Sequence, residues 1–296
     1  MSEPNTPRPA KKPAVNFLEP AGEAALIAAD SVSWRVFKNP VASFIGGVAA
    51  VVLELAEPRV AAGVWNHTTF RTDPRTRLRR TGLAAMVTVY GPHSTAEAMI
   101  AGVQRAHDRV RGVTACGQPY HANDPELLDW VQATASYGFV EAYCHYVQAL
   151  TPAEKDNFYA ESVRPARLYG TRNHPDSVAA LDVHFEAMRA KLRPSPTIAE
   201  FLQLMGEVEI LPRRLRSLQR LYIRAAVELL PEWAFDTLGI DSAMRLKPWE
   251  HRLVRTCGYL ADRIVFTSSP AVQACIRLGL PKNYLQPAGL LRHIRI

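Results

Sequence analysis

VASFIGGVAAVVLEL, residues 41–55, is apolar on every side of a helix drawn through it. A helix with no polar face has to be buried all round, so this segment belongs at the centre of a core. The apolar run reaches Glu54 after about thirteen residues, short of the roughly 20 that a bilayer-spanning helix needs. Gly46 and Gly47 cost helix propensity, which is tolerable where another helix or a flat ligand approaches the backbone closely. Upstream, Leu18–Ala29 reads as a short amphipathic helix, and Ser33–Phe37 leads through Asn39-Pro40 into the buried helix, which is predicted to end near Ala56.

Downstream, Glu57-Pro58 breaks the chain and starts a helix, RVAAGVWNHTTF, that carries Trp65, Asn66, His67 and Phe70. Asp73-Pro74 is a cap followed by proline at the first helical position, and the helix it opens carries Arg77, Arg80 and Thr81 before ending at Tyr90-Gly91-Pro92. Arg77 and Thr81, four apart, face the same way. STAEAMIAGVQRAHDRVRG, residues 94–112, then reads as a helix of about five turns, capped by Ser94 or Thr95 and stopped by Gly112. Its Ile100, Val103 and Val110 share a face with His107, so a histidine turns toward the core.

A histidine on an apolar stripe is ordinarily a core residue satisfied by a carbonyl or a water. The arginines around this one point further: Arg105, Arg109 and Arg111 on the same helix, and Arg77, Arg79 and Arg80 on the helix before it. An imidazole on an apolar wall, with guanidinium groups near enough to pair two carboxylates, is what a buried b-type haem requires.

The remaining chain is predicted helical between loops. VTACGQPYHAN (113–123) is a loop, Asp124-Pro125 opens a long helix to Leu150, and Thr151-Pro152-Ala153-Glu154 is a capping box for a helix to about Leu168. Further helices are expected over Pro175–Leu192, Thr197–Met205, Arg213–Leu230, Pro231–Leu238, Pro248–Val265 and Ala271–Leu280. The expected fold is all-α, with a proline- and lysine-rich disordered tail over 1–15, one helical domain over 16–296 and a soft boundary near 193–196.

Composition narrows the function classes. The 296 residues, 48% hydrophobic, suffice for one large core. The net charge of +7 comes from dispersed arginines without interleaved aromatics, which argues against a nucleic-acid partner. Four cysteines without C-x-x-C or C-x-x-C-H spacing suit reduced thiols in a cytoplasm, and no apolar segment behind the tail makes a secretory signal. His145 with Glu141 lacks the second Glu-x-x-His pair of a di-iron bundle, and Asp182, His184 and Glu186 scatter around a helix axis as surface residues. Hydrolase, P-loop and Rossmann motifs are absent, and the arginines between 213 and 224 read as an ordinary amphipathic helix, with a peripheral membrane contact as the other reading.

RVAAGVWNHTTFRTDPRTRLRRT (59–81), the Tyr90-Gly91 turn, AHDRVRG (106–112) and PYHANDPELLDWV (119–131), in that order and spacing, resemble the bacterial branch of the MpaB-like and latex-clearing (rubber oxygenase) catalytic-domain family, over roughly Trp34 to Leu192. The resemblance implies a globin-like helical fold enclosing a haem b pocket, and the use of dioxygen to cleave isoprenoid carbon–carbon double bonds. It implies His107 as the proximal iron ligand, with Arg77 and Thr81 beside the haem as the arginine and threonine of the family's R-x-x-K-T motif; Arg80 would pair a haem carboxylate or polarise bound oxygen, and Arg111 would pair a carboxylate. Asn66 and His67, on the helix between the buried helix and the arginine motif, would either line the opposite side or face solvent at the helix end.

Two departures stand out. Arg80 occupies the motif's lysine position, and a guanidinium cannot deprotonate to ligate iron, so its role would be electrostatic. Many bacterial relatives have His-Pro before the V-A-A-G segment, where this chain has Glu57-Pro58 or Pro58-Arg59. The competing reading is a non-enzymatic helical module that binds a lipid-like ligand or a protein partner.

Overall fold

The computed structural model describes residues 15–67, 69–287 and 292–294, and they form the all-α protein that the sequence predicts. The tail read over 1–15 lies, Val15 apart, outside the described residues. In chain order come α1 (Val32–Phe37), α2 (Pro40–Glu54), α3 (Pro58–His67), α4 (Pro74–Tyr90), α5 (His93–His107), α6 (Pro125–Tyr146), α7 (Pro152–Tyr169), α8 (Val178–Arg189), α9 (Pro196–Glu207), α10 (Arg216–Glu228), α11 (Glu232–Leu238), α12 (Pro248–Asp262) and α13 (Pro270–Arg277).

The starts of these helices are written in the sequence. Asn39 Oδ1 accepts from the amides of Val41 and Ala42, both at 3.1 Å, while Pro40 fills the first position, where an N–H would go unused. Asp73 and Asp124 repeat the device ahead of α4 and α6. Thr151 and Glu154 form the full capping box of α7, which Gly170 closes at φ +105°.

At the centre α2 lies against α6, with α10 and α12 completing its cover. Their crossing is backbone on backbone: a Cβ on Gly46 would stand 2.6 Å from the carbonyl oxygen of Gly138. A helix, not a flat ligand, is therefore what Gly46 admits, while Gly47 faces only the ring edge of Phe139 at 3.9 Å. Trp130, Tyr146, Ile45, Leu53 and Leu55 fill this main core. A second, smaller core joins Phe17, Leu26, Ile27, Trp34, Tyr90, Ala96, Ile100 and Ala274, drawn from the N-terminal segment, α1, α4, α5 and α13.

The structure corrects several boundaries. Leu18–Ala29 is not helical; Pro20 removes a donor and Gly22 sits at φ +78°, and the segment is pinned as a strap by Arg277. The helix carrying His107 ends at His107 itself, and the chain turns into a hairpin of β1 (Arg111–Val113) and β2 (Pro119–His121), where a loop had been expected. Gly112 is needed there because a Cβ would meet the Tyr120 hydroxyl oxygen at 2.6 Å. Ser94 and Thr95 do not cap α5; the Glu23 carboxylate accepts from the amide and hydroxyl of Ser94 instead. The long helix stops at Tyr146 rather than Leu150. The predicted end of the Pro248 helix becomes β3 (Ile264–Phe266), paired in parallel with β4 (Arg292–Ile294). Among the described residues no single helix is long and apolar enough to cross a bilayer; α2 and α3 together have the length but bend by 111°.

Candidate active site

α4 is anchored by one end. All its buried residues, Val87, Val89 and Tyr90, lie in the last turn, packed with α1, α5 and α13. Its first three turns hold no buried residue; Leu83 is 37% exposed, and nothing lies within 4 Å of where a Cβ on Gly82 would be. Arg77 is on this half. Its guanidinium donates to Thr81 Oγ1, and Thr81 returns a bond to the Arg77 carbonyl at 3.0 Å, the pairing the four-residue spacing predicts.

Arg77 reaches toward two other titratable groups. Its charge acts on Glu54 at the end of α2 and on His107 at the end of α5. Burial pushes the Glu54 carboxyl up to about 7 against the pull of Arg77, and burial likewise lowers the Arg77 guanidinium and the His107 imidazole. All three keep some accessible surface. The three side chains are thus desolvated by surrounding protein yet still touched by solvent. Among the described residues no carboxylate oxygen comes within ion-pair distance of Arg77, so this desolvated cation has room for an anionic group.

His107 Nδ1 is buried without a hydrogen-bond partner, and so is His121 Nε2 on β2. Both nitrogens are free to take a partner that is not a protein atom, a water included, and the charges of the two rings act on one another. Asn123 stands between the hairpin and α5. Its Nδ2 donates to Gln104 O (3.0 Å) and Asp108 Oδ1 (2.7 Å), its own Oδ1 is unpartnered, and its amide raises the proton affinity that burial lowers at His107.

The remaining expected residues fall into two groups. His67, exposed at the end of α3, shares a hydrogen bond of 2.9 Å with Tyr120 of β2, which places it beside the hairpin, next to His121 in sequence. Asn66, Arg80 and Arg111 are exposed; Arg80 acts on Arg77 only by its charge, and Arg111 donates to the Asp108 carbonyl at 2.7 Å. Arg109 and Arg111 do not flank His107 on one helix, because α5 ends before them. His184, expected at the surface, is half-buried with Nε2 unpartnered, its ring 6.2 Å from that of Trp130.

Glu57 has structural work. Its buried carboxylate accepts from the amides of Arg59 (2.6 Å) and Val60 (2.9 Å), starting α3, and pairs with the Arg59 guanidinium at 2.6 Å. Arg59 also binds Glu126 of α6 at 2.6 Å, tying α3 to α6.

His107 meets one requirement of a haem ligand. A ligating imidazole must be neutral, and burial favours the neutral form of His107. Among the described residues no three His, Cys, Asp or Glu side chains gather around a point, so an iron here would need most of its ligands from the group that carries it, as a porphyrin supplies.

A family model described as "ER-bound oxygenase mpaB/B'/Rubber oxygenase, catalytic domain" matches residues 34–260. No curated protein and no solved structure matches the chain.

Proposed function

Because the chain belongs to the mpaB/rubber oxygenase catalytic-domain family, a family of oxygenases, we propose that it is a haem-b-dependent oxygenase that uses dioxygen on a hydrophobic, alkene-bearing, isoprenoid-like small molecule. The observation that supports the haem reading is the buried Nδ1 of His107, without a protein partner, under the influence of the unpaired charge of Arg77. Bound there, haem b would supply the redox-active iron that dioxygen chemistry needs.

The chain's own residues take defined parts. His107 would hold the iron through a neutral imidazole, steadied from the side by Asn123. Arg77, locked to Thr81 along the helix, presents a fixed positive charge for a haem carboxylate or for negative charge developing during the reaction; a preorganised donor in a dry site is worth a few kcal/mol. Arg80 adds long-range positive charge from the same turn. Glu54, whose carboxyl is raised to about 7, can hold or release a proton near neutral pH beside Arg77. Leu83 of α4, 37% exposed, leaves apolar surface that a hydrophobic substrate could cover.

The test is the absorption spectrum of the haem-supplied protein with haemochrome quantitation, beside His107→Ala. About one haem per chain and a Soret band, lost in the variant while far-ultraviolet circular dichroism is unchanged, is the expected result. Full haem retention by His107→Ala removes the ligand assignment, and no band in the parent removes the cofactor.

A further inference from the structure

α12 turns an apolar ridge outward. Trp249, Leu253 and Leu260 are 60, 42 and 55% exposed, and their spacing puts all three on one line along the helix. Beside that line run Arg252, Arg255 and Arg263 with the half-exposed Tyr259, whose ring lies 3.4 Å under the Arg263 guanidinium. The two acidic residues of the helix face the other way and are paired inside: Glu250 with Arg224 at 2.5 Å, Asp262 with Lys38 at 3.1 Å. Val254 and Gly258 share that inner face; a Cβ on Gly258 would run into the Tyr146 carbonyl of α6. The outer face therefore combines large apolar side chains with three guanidinium groups that, among the described residues, no carboxylate pairs.

Charge decides what can cover it. Residues 1–14 carry Arg8, Lys11 and Lys12 against Glu3, so this basic tail does not complement an arginine face. A second copy docked by two-fold symmetry would set the same arginines against each other. A surface that is negatively charged at its rim and apolar beneath satisfies both the ridge and its flank, and an anionic bilayer has that profile. We propose that α12 is a peripheral membrane-docking helix, lying flat on anionic lipid with Trp249, Leu253 and Leu260 at the headgroup–acyl boundary and the arginines on the headgroup phosphates. The proposal stands independently of the haem reading.

Vesicle co-sedimentation of the full chain tests it, with phosphatidylcholine alone and with phosphatidylglycerol added. The parent binds the anionic vesicles, with a blue shift of tryptophan emission that Trp249→Phe removes, and binding weakens as salt rises. Arg252→Ser with Arg255→Ser lowers the partition coefficient about 20-fold, and Trp249→Ser with Leu260→Ser abolishes binding. All four positions are exposed, so the variants keep the parent's melting temperature. Absence of binding to anionic vesicles, as an acidic protein partner would produce, overturns the proposal; so does binding that these substitutions leave unchanged.

Discussion

Glu54 shows how one side chain's setting governs its chemistry. Desolvation lifts its carboxyl from the usual range near 4 to about 7, with Arg77 opposing. A carboxyl raised in the folded state is protonated there while the unfolded chain has already ionised, so this residue erodes stability as pH climbs from about 4 and stops doing so above about 7. Glu54→Gln, whose amide does not ionise, should therefore match the parent near pH 4 and exceed it by up to about 3 kcal/mol at pH 8, read from denaturant unfolding at each pH. A difference independent of pH would refute the assignment. At this scale the sequence was partly legible. The Arg77–Thr81 pair follows from helical spacing, and the apolar stripe of α5 marks His107 as facing inward, where it is half-buried. Glu54 passed as the end of an apolar run; the readable signal was a lone carboxylate on a helix with no other polar face. His121 and Asn123 meet His107 only through a hairpin register, which no local period announces.

At the scale of the element, starts marked by a cap and proline and ends marked by glycine were legible, while the uncapped start of α5 and the ends of α5, α6 and α12 were not. Asparagine or aspartate before proline fixes a start within one residue, because the cap and the ring act on adjacent positions. Ends depend on what the chain meets next: α5 stops at His107 because residues 111–113 pair with 119–121, a contact absent from the helix's own sequence. The central crossing gives a sharp comparison. Gly46→Ala forces a methyl against the backbone of Gly138 and Phe139, atoms that no rotamer change can move, and should cost about 1–3 kcal/mol. Gly47→Ala, one residue on, meets only a ring edge at 3.9 Å and should be neutral or stabilising by up to about 1 kcal/mol. Urea midpoints of the two variants settle it; equal losses would mean that helix propensity, not the crossing, sets the cost.

Across the whole molecule, Arg277 joins what the chain order keeps apart. Its guanidinium, buried at the end of α13, donates to the carbonyls of Glu23, Phe17 and Tyr90, each at 2.8 Å, holding the N-terminal strap and α4 to the C-terminal helix. Three charge-assisted bonds are lost in Arg277→Met, leaving two buried carbonyls and one part-buried carbonyl unpaired, so amides over 17–27 should exchange with deuterium at least about tenfold faster while those of α2 and α6 stay protected. Uniform acceleration throughout the chain would refute a local rivet. The same connectivity has a consequence for synthesis. A ribosome releases the N-terminus first, so the strap and the far end of α4 emerge some 187 to 260 residues before the arginine that holds them. The second core therefore stays ajar through nearly all of translation, and the N-terminal strap waits longest for its anchor.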